Sequence, residues 1–144
     1  MVEQDTIKLL RECDSGVKMG ISSINDVIDN VSSSKLRSIL QKSSDEHESI
    51  KTDLQELLSE YHDEGKEPAA MAKGMSWIKT NVMLKMNESD STVADLMTDG
   101  CNMGVKSLSR YLNKYAAADE RSKDMAKKLI SAEDQLCADV RPYL

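Results

Sequence analysis

Apolar residues recur at Ile7, Leu10, Val17, Ile21, Ile24, Ile28 and Val31, in steps of three and four with one gap. That spacing lines one face of a helix and predicts an amphipathic helix over about 3–31. Asp14 falls in the gap. The run Ser32-Ser33-Ser34 interrupts the pattern, and a serine there suits the N-cap of the next helix. A second stripe reads Leu36, Leu40, Ser43, His47, Ile50, Leu54, Leu57 and Tyr61. It predicts a helix over about 34–64, with Gly65 as its stop. So short a connection folds the two helices into an antiparallel hairpin, 3–64.

Pro68 suits the first turn of another helix. The stretch 68–86 reads as a shorter crossover helix, and 87–91 as a polar turn. A third helix is predicted over about 92–115 and a fourth over about 120–140. Asp119 is placed to cap the fourth, and Pro142 to stop it. Met125, Leu129, Ala132, Leu136 and Val140 are its core positions. The second hairpin is then 92–141, and the whole reads as one all-α domain over 1–144.

A repeat ties the hairpins together. Gly-Val-Lys-Met-Gly at 16–20 returns as Gly-Cys-Asn-Met-Gly at 100–104. A shift of 84 residues lays Gly16 on Gly100, Met19 on Met103, Gly20 on Gly104, Ile24 on Leu108 and Ile28 on Leu112. Asp14 then falls on Thr98, a polar position in both copies. The pattern predicts two pseudo-symmetric hairpins in an antiparallel four-helix bundle. Glycines four apart share a helix face, and each costs about 1 kcal/mol relative to alanine in a helix interior. A close crossing of the first and third helices at Gly16, Gly20, Gly100 and Gly104 would repay that cost. Room for a ligand or ion is the other reading.

Composition narrows the class. Hydrophobic residues are 40% and charged residues 31% of the chain, as in folded globular domains. With no Phe, one Trp and nine Met, aliphatic and thioether side chains must fill the core. A net charge of −6 and no basic cluster argue against nucleic acid. No stretch approaches the roughly 20 apolar residues of a membrane span. The N-terminus shows no signal-peptide pattern, and three widely spaced cysteines suit reduced thiols, so a cytoplasmic protein is expected.

Two antiparallel hairpins, a long crossover and internal pseudo-symmetry resemble the ferritin-like superfamily. The resemblance covers nearly the whole chain. More narrowly, it resembles a bacterial, Firmicutes-type branch of ferritin-like bundles without an assigned activity. The segments that carry it are Pro68-Ala69-Ala70-Met71-Ala72-Lys73 with Ser76-Trp77, Asp99-Gly100-Cys101-Asn102-Met103-Gly104-Val105, and Arg141-Pro142-Tyr143-Leu144. A ferritin-like di-iron site needs Glu-x-x-His pairs on two helices. Here Ser44 precedes His47 and Ser59 precedes His62 at that spacing, so the resemblance implies a fold without the usual di-iron site.

Three polar residues remain as candidates: Asp14 in the first stripe, His47 in the second, and Glu133 on the fourth helix. They read as a mid-bundle hydrogen-bond network, or as a degenerate metal site for iron, zinc or manganese. An acid–base or thiol site with Cys137 is a third reading. His62, at the end of the second helix, reads as solvated. The leading expectation is a non-enzymatic association module without a cofactor, working as a homo-oligomer or with a protein partner. Met71, Met75, Trp77 and Met83 of the crossover form its candidate surface, since methionine-rich surfaces adapt to partners.

Overall fold

The computed structural model describes residues 3–68 and 89–144. Four long helices account for most of them: α1 (Gln4–Val27), α2 (Ser34–Glu60), α3 (Asp90–Lys114) and α4 (Glu120–Val140). Short 3₁₀ turns follow α1 at Ile28–Asn30 and α4 at Arg141–Tyr143. Among the described residues there is no strand, and no helix is long and apolar enough to cross a membrane.

Local chemistry sets the helix starts. Ser33 Oγ accepts from Leu36 N at 3.2 Å, Ser89 Oγ from Thr92 N at 3.2 Å, and Asp119 Oδ1 from Ser122 N at 2.8 Å. Each cap satisfies an amide that the helix leaves without a partner, typically worth about 1 kcal/mol. α3 therefore starts at Asp90, two residues before the sequence placed it. α2 stops earlier than expected. It ends at Glu60, and His62 takes a left-handed backbone with φ 57°. His62 N donates to Ser59 O at 3.0 Å and Asp63 N to Leu58 O at 2.9 Å, which closes the last turn. Gly65 is thus not the stop; its φ of 85° serves a later bend.

The helices pack as two antiparallel hairpins laid against each other, α1 beside α3 and α2 beside α4. Asp5 at the start of α1 accepts from Ala117 N at 3.1 Å. At the other end, Asp90 accepts from Ser32 N at 2.7 Å and Ser33 N at 3.0 Å. Early residues meet late ones, so α1 and α3 run antiparallel. Asp119 N donates to Thr6 Oγ1 at 2.8 Å, which makes α4 parallel to α1.

The core has two apolar lobes. One gathers Leu9, Leu10, Val17, Leu54, Leu58 and Leu129; the other gathers Ile24, Leu36, Leu40, Leu96, Leu136 and Val140. Each fully buried leucine contributes about 1.5–3 kcal/mol. Between the lobes lies a polar level formed by Ser43, Ser44, His47 and Glu133, all buried. Of the predicted crossover helix 68–86, only Pro68 is described, and it is buried. Met71, Met75, Trp77 and Met83 lie outside the described residues.

Candidate functional site

His47 on α2 is fully buried, and both of its ring nitrogens are engaged. Nδ1 lies 2.7 Å from the Ser43 carbonyl oxygen, and Nε2 lies 3.1 Å from Glu133 Oε1 on α4. A carbonyl oxygen can only accept, so Nδ1 carries a proton and donates. A neutral ring would then aim a bare Nε2 at a carboxylate. The contact is satisfied when a second proton sits between Nε2 and Oε1, as in an imidazolium–carboxylate pair. Burial alone disfavours the charged ring. The hydrogen bond and charge of Glu133, the Ser43 carbonyl and the charge of Glu46 outweigh it, holding His47 above its ordinary value of 6.5.

Gly20 on α1 makes this pair fit. A Cβ at residue 20 would lie 2.9 Å from His47 Cδ2, 3.0 Å from Nε2 and 3.3 Å from Glu133 Oε1. The ring occupies the space that a side chain on α1 would take. Gly16 and Gly104 are less constrained. A Cβ at Gly16 would meet Leu129 Cδ2 at 3.8 Å and Leu108 Cδ2 at 3.9 Å, and one at Gly104 would meet Glu133 at 3.5–3.7 Å. These are ordinary contacts, and at all three positions the nearest atoms are side chains. At these three positions side chains from α2, α3 and α4, not a facing backbone, lie nearest the glycine face.

A partly open cavity of about 250 Å³ lies between α1 and α3. All four repeat glycines, Gly16, Gly20, Gly100 and Gly104, border it. Met19, Ile24, Met97, Met103, Leu108 and Leu136 supply apolar wall, and His47 and Glu133 face it as the polar level between the core lobes. Ser15, Ser23, Ser107 and Tyr111 add hydroxyls, and Glu12 a second carboxylate. Cys101 is also in the wall; burial first, then the charge of Glu133, pushes its thiol well up. Cys13 is buried away from this wall and is pushed up to about 12 by desolvation, Glu12 and Asp14. Thiols held so far up are poor nucleophiles at neutral pH.

Asp14 does not join this group, which corrects the expected cluster of Asp14, His47 and Glu133. It sits six residues before Gly20, about 9 Å along the helix axis. Its Oδ2 meets Lys18 Nζ at 2.7 Å and accepts from Lys66 N at 3.0 Å. Lys18 also meets Glu67 Oε1 at 2.8 Å, and Lys66 Nζ meets Glu12 Oε1 at 2.7 Å. Arg11 holds Asp63 through Nε at 3.1 Å. Together these contacts clasp the chain after α2 onto α1. Gly65 bends there because a Cβ would collide with the Asp14 carboxylate. Among the described residues, Asp14 Oδ1 is buried without a hydrogen-bond partner. Thr98, its counterpart in the repeat, bonds within its own helix to Ala94 O at 2.8 Å. Among the described residues, no three His, Cys, Asp or Glu side chains are grouped to hold a metal ion.

The sequence singled out His47, Glu133 and the glycines, and the structure brings them together. It did not single out Leu108, Met97 or Tyr111 as site residues, although the repeat had paired Leu108 with Ile24. Both of that pair line the cavity. No family model, curated protein or solved structure matches this chain.

Proposed function

We propose that this chain is a non-enzymatic helical-bundle module that binds a small apolar molecule in the cavity between α1 and α3. The observation that carries the reading is the cavity of about 250 Å³, bordered by all four repeat glycines and walled by aliphatic and methionine side chains. Apolar sites with a few placed polar groups are the usual form of small-molecule pockets, and a dry apolar cavity of about 150 Å³ suffices to hold benzene. Methionines suit such a wall because their unbranched side chains adapt to what enters. The Cys101 thiol in the described wall is held well above its ordinary value, which favours binding over nucleophilic chemistry at that residue. A ferritin-like arrangement is part of the same proposal, supported by the antiparallel order of neighbours and the long connection between the hairpins.

Methyl NMR with toluene tests the reading. The methyl signals of Met19, Met97 and Met103 should move on titration, while that of Met125, which does not line the cavity, stays. Gly104→Leu, which fills the cavity from α3, should abolish those shifts in a protein with an unchanged helical circular dichroism spectrum. Shifts that are absent, or that spread equally to Met125, would sink the proposal.

A further inference from the structure

The polar face of the cavity has unequal capacity for donors and acceptors. Both nitrogens of His47 are already committed, one to the Ser43 carbonyl and one to Glu133. The ring has no donor left for an incoming anion. An ionised carboxylate accepts at about four lone-pair sites. Glu133 uses one on His47, so it can accept more. Gly104 on α3, which has no side chain, leaves the carboxylate facing the cavity. The other carboxylate in the described wall is Glu12, which pairs with Lys66 Nζ at 2.7 Å, and no lysine or arginine is among the described wall residues.

We infer that the ligand is a small organic cation, an apolar body carrying a protonated amine, which docks on Glu133 and displaces the proton that His47 holds there. This rests on the cavity reading above and names its ligand class. An ammonium has three donors. It can bond the Glu133 carboxylate and the Nε2 atom of neutral His47 together, satisfying both acceptors when the shared proton has left for solvent. Each amine bound to the imidazolium form therefore releases one proton. Among the described residues, no lysine or arginine pairs with His47 or Glu133. α4 presents Glu133 to His47 and α1 presents Gly20 with no side chain, while Cys101 of α3 lies in the same cavity wall. Among the described residues, α2 itself adds Ser43 and Glu46.

The test uses the full chain and three probes of one shape: benzylamine, benzyl alcohol and benzoate. Calorimetry is run at pH 6, in two buffers of different ionisation enthalpy, and again at pH 8. The inference expects benzylamine to bind at least tenfold more tightly than either analogue, to release about one proton at pH 6, and to bind more tightly at pH 8. Glu133→Gln should bring benzylamine down to the level of benzyl alcohol. Equal binding of benzylamine and benzyl alcohol, with no proton release, overturns the cation inference and leaves the cavity reading standing. Tighter binding of benzoate, weakening as the pH rises, also overturns it and makes His47 the anchor. If none of the three probes nor toluene moves the Met97 and Met103 methyls, the inference and the cavity reading both fall. Proton release needs no variant, so a misfolded Glu133→Gln protein does not shield the inference.

Discussion

The His47 ring occupies the place of the side chain that Gly20 lacks, with His47 Cδ2 only 2.9 Å from where a Cβ on residue 20 would stand. The glycine on α1 and the histidine on α2 are therefore one structural feature. The imidazole is held at both ends, by Ser43 and by Glu133, so it cannot swing aside without losing a bond.

The two glycines of the first repeat copy should respond oppositely to alanine. Gly16→Ala adds a methyl in ordinary contact with Leu108 and Leu129 and should stabilise by up to about 1 kcal/mol through helix propensity. Gly20→Ala gains the same propensity but forces His47 off Glu133. A buried hydrogen bond to a charged group is worth about 1.5–3 kcal/mol, so the net change should be a loss of about 1 kcal/mol or more. Urea denaturation of both variants checks this. A Gly20→Ala protein as stable as Gly16→Ala would show that the ring is not held in place.

The same pair predicts a pH dependence with a definite sign. The pKa of His47 is raised in the folded state, chiefly by Glu133 working against burial. Its stabilising contribution is therefore complete below the unfolded value of about 6.5 and fades as the pH rises through the folded value. In Glu133→Gln the amide can donate to a neutral ring, which replaces the charged bond with a neutral one. The variant should be about 1 kcal/mol less stable than wild type near pH 6 and should match or exceed it at high pH. Denaturation from pH 5.5 to 9 would show the two curves converging. Histidine NMR would show the His47 titration moving down in the variant. A constant stability difference across that range would contradict the imidazolium–carboxylate assignment.

The clasp after α2 should be separable from the cavity. Gly65→Ala places a Cβ against the Asp14 carboxylate in a backbone with φ 85°, two independent penalties. Asp14→Ala removes the acceptor of Lys66 N and one partner of Lys18, and each variant should cost about 2–3 kcal/mol. Combined, they should cost less than the total of the two, because removing the Asp14 carboxylate relieves the clash at residue 65 and leaves only the left-handed backbone strain. Toluene binding in the cavity should survive, measured well below the melting temperature of each variant. Additive losses in the double variant would argue that Asp14 and Gly65 act apart.

Most of the helical framework was legible along the chain because its determinants are local. The start of α2 follows from Ser33 and that of α4 from Asp119, and the buried faces follow from apolar spacing. The stop of α2 was misread because Gly65 offered a left-handed backbone that His62 adopted instead, once the amides of His62 and Asp63 found carbonyls in the last turn. The positions of Ser43 and His47 in the apolar stripe correctly signalled burial, but burial does not name a partner.

What the sequence by itself determined was the four helices, the repeat, and the polar residues placed on buried faces. Each depends on neighbours within a turn or two, which the order of residues specifies directly. Only the tertiary structure decided that His47 meets Glu133 across Gly20 while Asp14 turns to Lys18 and Lys66. That outcome depends on how the helices are rotated and slid against one another. Each residue turns a helix face by about 100° and advances it by about 1.5 Å, so a small change in register assigns a buried carboxylate to a different neighbour. The glycine repeat was visible from the start; the cavity it borders exists only when α1 and α3 come together.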